Sequence, residues 1–355
     1  MSAHEILIYI MAGFAVLGAL DRIFGNRIGL GQEFENGILA MGSLAMAMLG
    51  IISLAPVLAN ILRPVVVPVY AFLGADPAMF AGTILACDMG GASLAKELTA
   101  DPEAALLGGL LGGSMLGATI VFTIPVAIGI LRPEDRPAMA KGILAGIITI
   151  PVGILVGGLV AGFPVMKVLR NLLPIVLIAA LIALGLWKAE KWMIKGFGIF
   201  GKGVVALITV GLVAAIVEDL TGFAAIPGMA PIEDGFLTVG AIAIVLAGAF
   251  PLVWAVTKLL RKPLLRIGNW LGINDTAAGG LVATLANSIA TFGMVKDMDD
   301  RGKVVNIAFA VSAAFVFGDH LGFAAGFAPE MLPAVIAGKL AGGISAIFAA
   351  LWLTK

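Results

Sequence analysis

The stretch NGILAMGSLAMAMLG, residues 36–50, contains no charged side chain and opens an apolar segment over residues 37–62. At 1.5 Å of helical rise per residue, such a segment can cross a hydrocarbon core of about 30 Å. Similar segments recur along the 355-residue chain, which is 61% hydrophobic and only 12% charged. Soluble domains carry about 25% charged residues. The sequence therefore predicts an all-α polytopic membrane protein, since backbone groups in lipid must be paired within their own helix.

Repeated apolar runs predict about eleven transmembrane helices, each long enough to span the bilayer, some with tilt. The predicted segments cover residues 5–22, 37–62, 77–95, 104–131, 142–163, 168–187, 203–220, 235–257, 274–295, 304–327 and 334–353.

The charges between these segments predict the orientation, because short cytoplasmic connections are rich in Lys and Arg. The stretch 188–202 holds four lysines and one acid, and the stretch 218–234 holds four acids and no base. A second basic stretch, 258–266, has no acid. Its bases are Lys258, Arg261, Lys262 and Arg266. We expect both basic stretches in the cytoplasm and the acidic one outside. If every segment crosses, the N-terminus is cytoplasmic and Lys355 is external.

An internal repeat appears when the chain is shifted by 198 residues. The opening stretch then overlies DGFLTVGAIAIVLAG, residues 234–248, and three glycines coincide: Gly37, Gly42 and Gly50 fall on Gly235, Gly240 and Gly248. This pattern predicts two homologous five-helix units joined by one extra helix. The predicted domains are a first unit over 1–163, a linking helix and basic loop over 164–202, and a second unit over 203–355.

The relative orientation of the two units depends on two segments. If 77–95 and 274–295 both cross the membrane, equivalent helices run in the same direction. If they are re-entrant or broken, the number of crossings between equivalent points becomes odd and the repeats are inverted. Transporters are commonly built from such repeats, with the substrate site between them.

An acidic residue stands inside the apolar stretch GTILACDMGGASLAKE, residues 82–97. Asp88 is a candidate site residue because an intramembrane acid is costly and usually functional. Gly90 and Gly91 are expected to interrupt the helix there, and both are predicted to belong to the substrate-binding site with Asp88. In one interpretation Asp88 caps the second half-helix; in the other it faces a cavity and binds a cation. With a one-residue slip in the repeat, Asp88 aligns with Asn287, which Ser288 follows.

A second acid lies in FVFGDHLGF, residues 315–323. Asp319 and His320 point about 100° apart on a regular helix, so they share a direction only if the helix breaks at Gly318 or Gly322. In one hypothesis, Asp319 and His320 form buried hydrogen bonds or lie near the membrane interface. In the other, Asp319 helps to bind a cation, and His320 contacts a hydroxyl group or senses protons.

Other classes of function lack their motifs. The net charge is zero, so no nucleic-acid partner is indicated, and one cysteine, Cys87, excludes an intrachain disulfide. The chain has two histidines and no HExxH, GxxxxGK[ST] or GxSxG motif, so a zinc protease, an ATP-driven pump and a nucleophile elbow are disfavoured. We therefore expect that the protein is not an enzyme and that it binds no metal or cofactor.

Glycines 109, 113 and 117 share a helix face and indicate packing, within a protomer or in a homo-oligomer.

Three stretches resemble the EutH family of bacterial ethanolamine-utilisation membrane proteins. They are NGILAMGSLAMAMLGIISLAPVLANIL, ADPAMFAGTILACDMGGASLAKEL and AFAVSAAFVFGDHLGFAAG, and DMGG at 88–91 and FGDHLGF at 317–323 are the most specific parts. The resemblance covers almost the whole chain. It implies an ethanolamine transporter or facilitator of the bacterial inner membrane.

The physics of this substrate agrees with the resemblance. Ethanolamine is an amine with a pKa near that of lysine, so it is mainly cationic at neutral pH and crosses bilayers poorly. Its ammonium suits Asp88 or Asp319, and its hydroxyl suits Asn287, Ser288 or His320. The alternatives are an ion-coupled symporter of another small amine or nucleoside-like solute, a channel-like facilitator, and a non-transporting membrane scaffold. The coupling ion is left open.

Overall fold

The computed structural model describes residues 2–354, apart from the side chains of 260–262, 264, 265, 267 and 269. Arg261 and Lys262, counted in the basic stretch, therefore lie outside the described side chains. No strand occurs within the described residues, and seven helical stretches are long and apolar enough to cross a membrane. The prediction of an all-helical, multi-pass protein is confirmed, whereas the prediction of eleven spanning helices is not.

The α-helices are α1 (Ala3–Ile23), α2 (Leu30–Phe72), α3 (Ala78–Ile84), α4 (Gly91–Leu98), α5 (Pro102–Ala105), α6 (Ile124–Ile130), α7 (Arg136–Ile147), α8 (Ile150–Val160), α9 (Val165–Thr221), α10 (Ile232–Leu271), α11 (Asp275–Ala286), α12 (Ser288–Met294), α13 (Asp300–Ala313), α14 (Asp319–Phe327) and α15 (Leu332–Leu353).

Helices α2 and α10 pack against each other in opposite directions. A Cβ atom on Gly37 would lie 2.5 Å from the backbone of Ala247, and one on Gly235 would lie 2.7 Å from Leu49. A residue later in α2 thus contacts a residue earlier in α10, so the two helices are antiparallel. Small residues allow this close approach of two backbones.

One further helix packs on each member of this pair. Gly50 of α2 contacts the backbone of Ile208 in α9, and Gly248 of α10 contacts the backbone of Met11 in α1. The long α9 is divided by a kink at Ala189, where φ is −143° and ψ is 42°. Its first part covers the predicted apolar segment 168–187, and its second part contacts α2.

The segments predicted over 77–95 and 274–295 are helical hairpins instead of single long helices. Helices α3 and α4 have seven and eight residues, too short to cross. Thr99, after α4, donates a hydrogen bond of 2.8 Å to Asp76, before α3. In the same way, the amide of Asn274 donates to Asp299 at 2.8 Å, closing the base of the α11–α12 hairpin. Each hairpin therefore returns to the side from which it started.

An interrupted helix follows each hairpin. Between α5 and α6 the chain widens into π-type turns over Leu106–Gly117 and Thr119–Thr123. The glycines at 109, 113 and 117 there pack against α4 and the first hairpin's turn, which confirms their predicted packing role. Between α13 and α14 the helix is interrupted over residues 314–318.

Candidate functional site

The first hairpin turns at Asp88. Leu85 and Ala86 are extended, residues Cys87–Met89 form a single 3₁₀ turn, and Gly90 has a φ of +93°. This left-handed conformation favours glycine, and a side chain on Gly90 would also overlap Ile51. A Cβ on Gly91 would lie 2.6 Å from the carbonyl oxygen of Leu85. The predicted interruption is confirmed, and both glycines serve the turn and its packing.

The carboxylate of Asp88 does not cap the second half-helix. The N-cap of α4 is Gly90, and none of the side chains that the structure describes caps that helix. Oδ1 of Asp88 lies 3.7 Å from Nε2 of His320, and the Asp88 side chain is 18% exposed. The oxygens of Asp88 are thus directed away from the helix end and toward the α13–α14 break.

The break between α13 and α14 places Asp319 and His320. Phe315 has a φ of +63°, and Gly318 is the N-cap of α14. The unwound backbone is paired with the second hairpin, because the amides of Phe315 and Phe317 donate to carbonyls of α11 at 3.2 and 2.9 Å. Irregular backbone at membrane depth requires such partners. The predicted break is confirmed at Gly318, while Gly322 lies within α14.

A small cavity of about 40 Å³ lies between the first hairpin and this break. Asp88, Asp319 and His320 line it, together with two aromatic rings. The rings of Phe122 and Phe315 meet edge to face at 5.4 Å between centroids. Nδ1 of His320 is buried and has no hydrogen-bond partner among the described residues. The other lining residues are Ala86, Met89 and Ala118.

A larger cavity of about 690 Å³, called the vestibule here, shares Asp319 with the small cavity. It also contacts Asn287, Trp254 and Lys258, whose side chain is exposed. Oδ1 of Asn287 accepts the amide of Ile289 at 2.8 Å, so this side chain caps α12 at the tip of the second hairpin. Asp88 and Asn287 thus occupy the tips of two hairpins, and Asp319 lies between the two cavities.

The predicted site residues therefore separate into groups. Asp88, Asp319 and His320 meet at the small cavity, and Asn287 lines the vestibule. Ser288 is fully buried, and its Oγ has no hydrogen-bond partner among the described residues. The described linings of these two cavities include neither Ser288, Gly90 nor Gly91.

Three residues near the site were not singled out from the sequence. Phe122 and Phe315 lie in ordinary apolar runs and gave no signal. Lys339 was detectable, because it is a lysine inside the apolar segment 334–353 and intramembrane charges mark functional sites. Its side chain is 1% exposed, and Nζ donates to the carbonyl oxygen of Ser114 at 2.6 Å.

The same cluster contains potential metal ligands. One ligand atom each of Cys87, Asp88 and His320 lie within 4.8 Å of one another. Thiolate, carboxylate and imidazole are zinc ligands. Lys339, however, reaches the same turn, because its Nζ donates to the carbonyl oxygen of Ser114 and the neighbouring Gly113 packs against the backbone of Cys87, so a lysine competes there with a divalent cation. The arrangement is better suited to a small monovalent cation that can contact carboxylates and aromatic rings.

Comparison with known proteins extends over nearly the entire chain. The family model described as "Ethanolamine utilisation protein, EutH" matches residues 3–353. A protein of Listeria monocytogenes named probable ethanolamine permease EutH is 60% identical over 100% of this chain and 95% of its own. The protein of Salmonella typhimurium with the same name is 50% identical over 99% of this chain and 96% of its own.

A further relative is an uncharacterised Bacillus subtilis protein, YxeR, which is 52% identical over 100% of this chain and 96% of its own. No solved structure matches at a significant level. Family model and relatives cover the chain almost from end to end, and the chain therefore belongs to the EutH family.

Proposed function

We propose that this protein is a permease that moves ethanolamine, as its ammonium cation, across the bacterial inner membrane. The names of the relatives from Listeria monocytogenes and Salmonella typhimurium support the substrate, and these names describe a permease, not an enzyme. The single observation that carries the proposal is the small cavity, where Asp88 and Asp319 meet the rings of Phe122 and Phe315.

The volume of the small cavity suits the substrate. A water molecule needs about 10–15 Å³ of such volume. A cavity of about 40 Å³ therefore holds roughly three water-sized groups, which approaches the four heavy atoms of ethanolamine, two carbons, one nitrogen and one oxygen. A nucleoside-like solute is several times larger. The cavity thus favours a small amino alcohol over the larger alternative.

Each lining group has a chemical role in this proposal. Asp88 and Asp319 attract the ammonium, and the faces of Phe122 and Phe315 add cation–π attraction. Nδ1 of His320 forms a hydrogen bond with the hydroxyl group of the substrate, which gives this buried nitrogen the partner that it otherwise lacks.

The vestibule supplies the route to the small cavity. The cation enters past Asn287, whose amide group offers a polar contact, and reaches Asp319 at the boundary between the two cavities. Ser288, Gly90 and Gly91 shape the hairpin tips and are not among the proposed contacts.

We infer that the chain contains two inverted repeats. Under the shift of 198 residues, the contact of Gly37 with Ala247 maps onto the contact of Gly235 with Leu49, as a two-fold axis requires. The paired helices α2 and α10 run in opposite directions, so the repeats are inverted. The eleven apolar segments less the two hairpins leave about nine crossings. Inverted repeats support alternating access around a central site.

This arrangement reverses the proposed location of the N-terminus. A Cβ on Gly29, after α1, would lie 3.1 Å from Trp254 of α10, close to the basic stretch 258–266. If that stretch is cytoplasmic, α1 ends in the cytoplasm and begins outside. The sequence-based expectation differed because it counted the first hairpin, which lies between α1 and the basic stretches, as a crossing.

The proposal is tested by uptake of labelled ethanolamine into liposomes containing the purified protein. Protein-dependent uptake, inhibited by unlabelled ethanolamine more than by larger amines, is expected. A requirement for a sodium or proton gradient would identify an ion-coupled symporter. Absence of uptake above that of protein-free liposomes would contradict transport and favour the scaffold.

A further inference from the structure

A groove of about 1060 Å³ lies beside the kink that divides α9. One wall is the part of α9 that follows the kink, and the other wall is formed by α6 and the start of α7. The lining positions of α9 include Lys191, Lys195, Gly198 and Lys202. These positions are three or four residues apart, so they share one face of the helix. The groove therefore presents one continuous helix face with several charges.

The two walls meet at one end of the groove and separate toward the other. A Cβ on Gly201 would lie 2.8 Å from Cγ of Pro125, whereas a Cβ on Gly198 would lie 4.0 Å from Cδ1 of Ile128. The groove is therefore a wedge that widens toward the kink. Pro125, Ile128 and Ile194 give the wedge apolar walls, against which a hydrocarbon chain can pack.

The charges of the groove are mainly positive. Its lining holds one acid and four bases, which are Arg136, Lys191, Lys195 and Lys202. Among the described residues, none of these four bases forms a salt bridge. By contrast, Lys167 and Lys303 each form salt bridges with two carboxylates. The groove thus offers an anion several cations that no carboxylate of the described chain pairs with.

Two tryptophans indicate the depth of the groove in the membrane. Trp187 and Trp192, on either side of the kink at Ala189, are 74% and 75% exposed. Nζ of Lys188 lies 5.2 Å from the ring centroid of Trp187, and Nζ of Lys195 lies 5.7 Å from that of Trp192. Exposed tryptophans are typical of the boundary between lipid and water. The wide end of the groove therefore lies at the depth of the lipid head groups.

We propose that this groove binds an anionic phospholipid. The phosphate contacts Arg136 and the lysines of α9, and the upper part of an acyl chain packs between α6 and α9. A guanidinium group can bind two phosphate oxygens at once, and basic pockets between membrane helices bind anionic head groups. A free phosphate ion would leave the apolar walls uncovered, so the groove favours a lipid. This inference goes beyond the proposed function and does not depend on it.

The test is native mass spectrometry of the purified full-length protein, titrated with dioleoylphosphatidylglycerol or dioleoylphosphatidylcholine. The two lipids carry the same acyl chains, and only the first has a net negative charge. The wild type should bind phosphatidylglycerol more tightly. Lys195→Gln should weaken that binding about fivefold, and Lys191→Gln combined with Lys195→Gln about 30-fold, whereas phosphatidylcholine binding should not change.

Lys188→Gln is the matched control. Lys188 and Lys195 are both exposed and both lie over a tryptophan, but the described lining of the groove does not include Lys188. Lys188→Gln should leave the affinity for phosphatidylglycerol unchanged. Equal losses in Lys188→Gln and Lys195→Gln would overturn the inference, because general surface charge would then account for binding.

Two results with the wild type would also overturn the inference. Equal affinities for the two lipids would show that the groove does not select an anionic head group. Displacement of phosphatidylglycerol by glycerol phosphate at similar concentrations would show that the ligand is a soluble phosphate ester and that the apolar walls contribute nothing.

Discussion

At the scale of single residues, the aromatic wall of the small cavity can be tested separately from its charges. Phe122 lines the cavity, whereas Phe80 packs against Tyr70 with ring centroids 6.2 Å apart. We expect Phe122→Leu to weaken ethanolamine binding by about 2- to 30-fold, which corresponds to the usual strength of a cation–π contact. Calorimetric titration of the purified variants measures this, with Phe80→Leu as the matched control. Equal effects of both substitutions would argue against a ring that contacts the ammonium.

His320 is expected to set the preference for a hydroxyl group. Its Nδ1 is buried without a partner, and a missing buried hydrogen bond costs about 1–3 kcal/mol. The wild type should therefore bind ethanolamine about 5- to 150-fold more tightly than ethylamine. His320→Leu should abolish that preference, whereas Phe122→Leu should weaken both ligands alike. Unchanged selectivity in His320→Leu would assign the hydroxyl to another group.

The residues that could be identified from the sequence are those with an unusual environment. Asp88 and Asp319 stand out because acids are rare in apolar segments, and the glycine beside Asp319 indicates the break that the structure contains. The rings of Phe122 and Phe315 could not be identified, since phenylalanine is ordinary in a membrane helix. Their position depends on the left-handed conformation of Phe315 and on the widened π-type segment.

At the scale of elements, the hairpin tip depends on one backbone conformation. Gly90 has a φ of +93° and contacts Ile51, whereas Gly74 has a φ of +69° and open space around it. Gly74→Ala should cost only about 1–2 kcal/mol of backbone strain. Gly90→Ala adds overlap with Ile51, so it should lower the melting temperature more and reduce uptake.

The cause of the Gly90 effect can be isolated by shortening its neighbour. In Gly90→Ala with Ile51→Ala, part of the lost stability should return, because the overlap is relieved while the strain remains. Thermal unfolding of the purified proteins in detergent gives the comparison. Equal melting temperatures for Gly90→Ala and Gly74→Ala would contradict the close packing of the tip.

The hairpins themselves could not be derived from hydropathy. Residues 77–95 are as apolar as a spanning helix, and nothing in their composition distinguishes crossing from return. The return is fixed by contacts between residues distant in sequence, such as Thr99 with Asp76 and Asn274 with Asp299. The helical class follows from composition alone, whereas the number and direction of crossings depend on these pairings.

At the scale of the whole molecule, the inverted repeats predict which ends of the helices face the cell exterior. Ala3, Lys191 and Thr221 are all exposed, at the start of α1, after the α9 kink and at the end of α9. In intact cells, a membrane-impermeant maleimide should label Ala3→Cys and Thr221→Cys, and should label Lys191→Cys only after permeabilisation. The wild type is the control, since Cys87 is buried. Labelling of Ala3→Cys together with Lys191→Cys would refute the proposed orientation.

The central claim is that the protein transports cationic ethanolamine through a site that requires the Asp88 carboxylate. The most direct test is the initial rate of labelled ethanolamine uptake by liposomes containing equal amounts of folded wild type or Asp88→Asn, at about pH 6, where the amine is almost entirely cationic. We predict saturable uptake by the wild type and a rate indistinguishable from protein-free liposomes for Asp88→Asn. Uptake by Asp88→Asn at the wild-type rate would contradict the account.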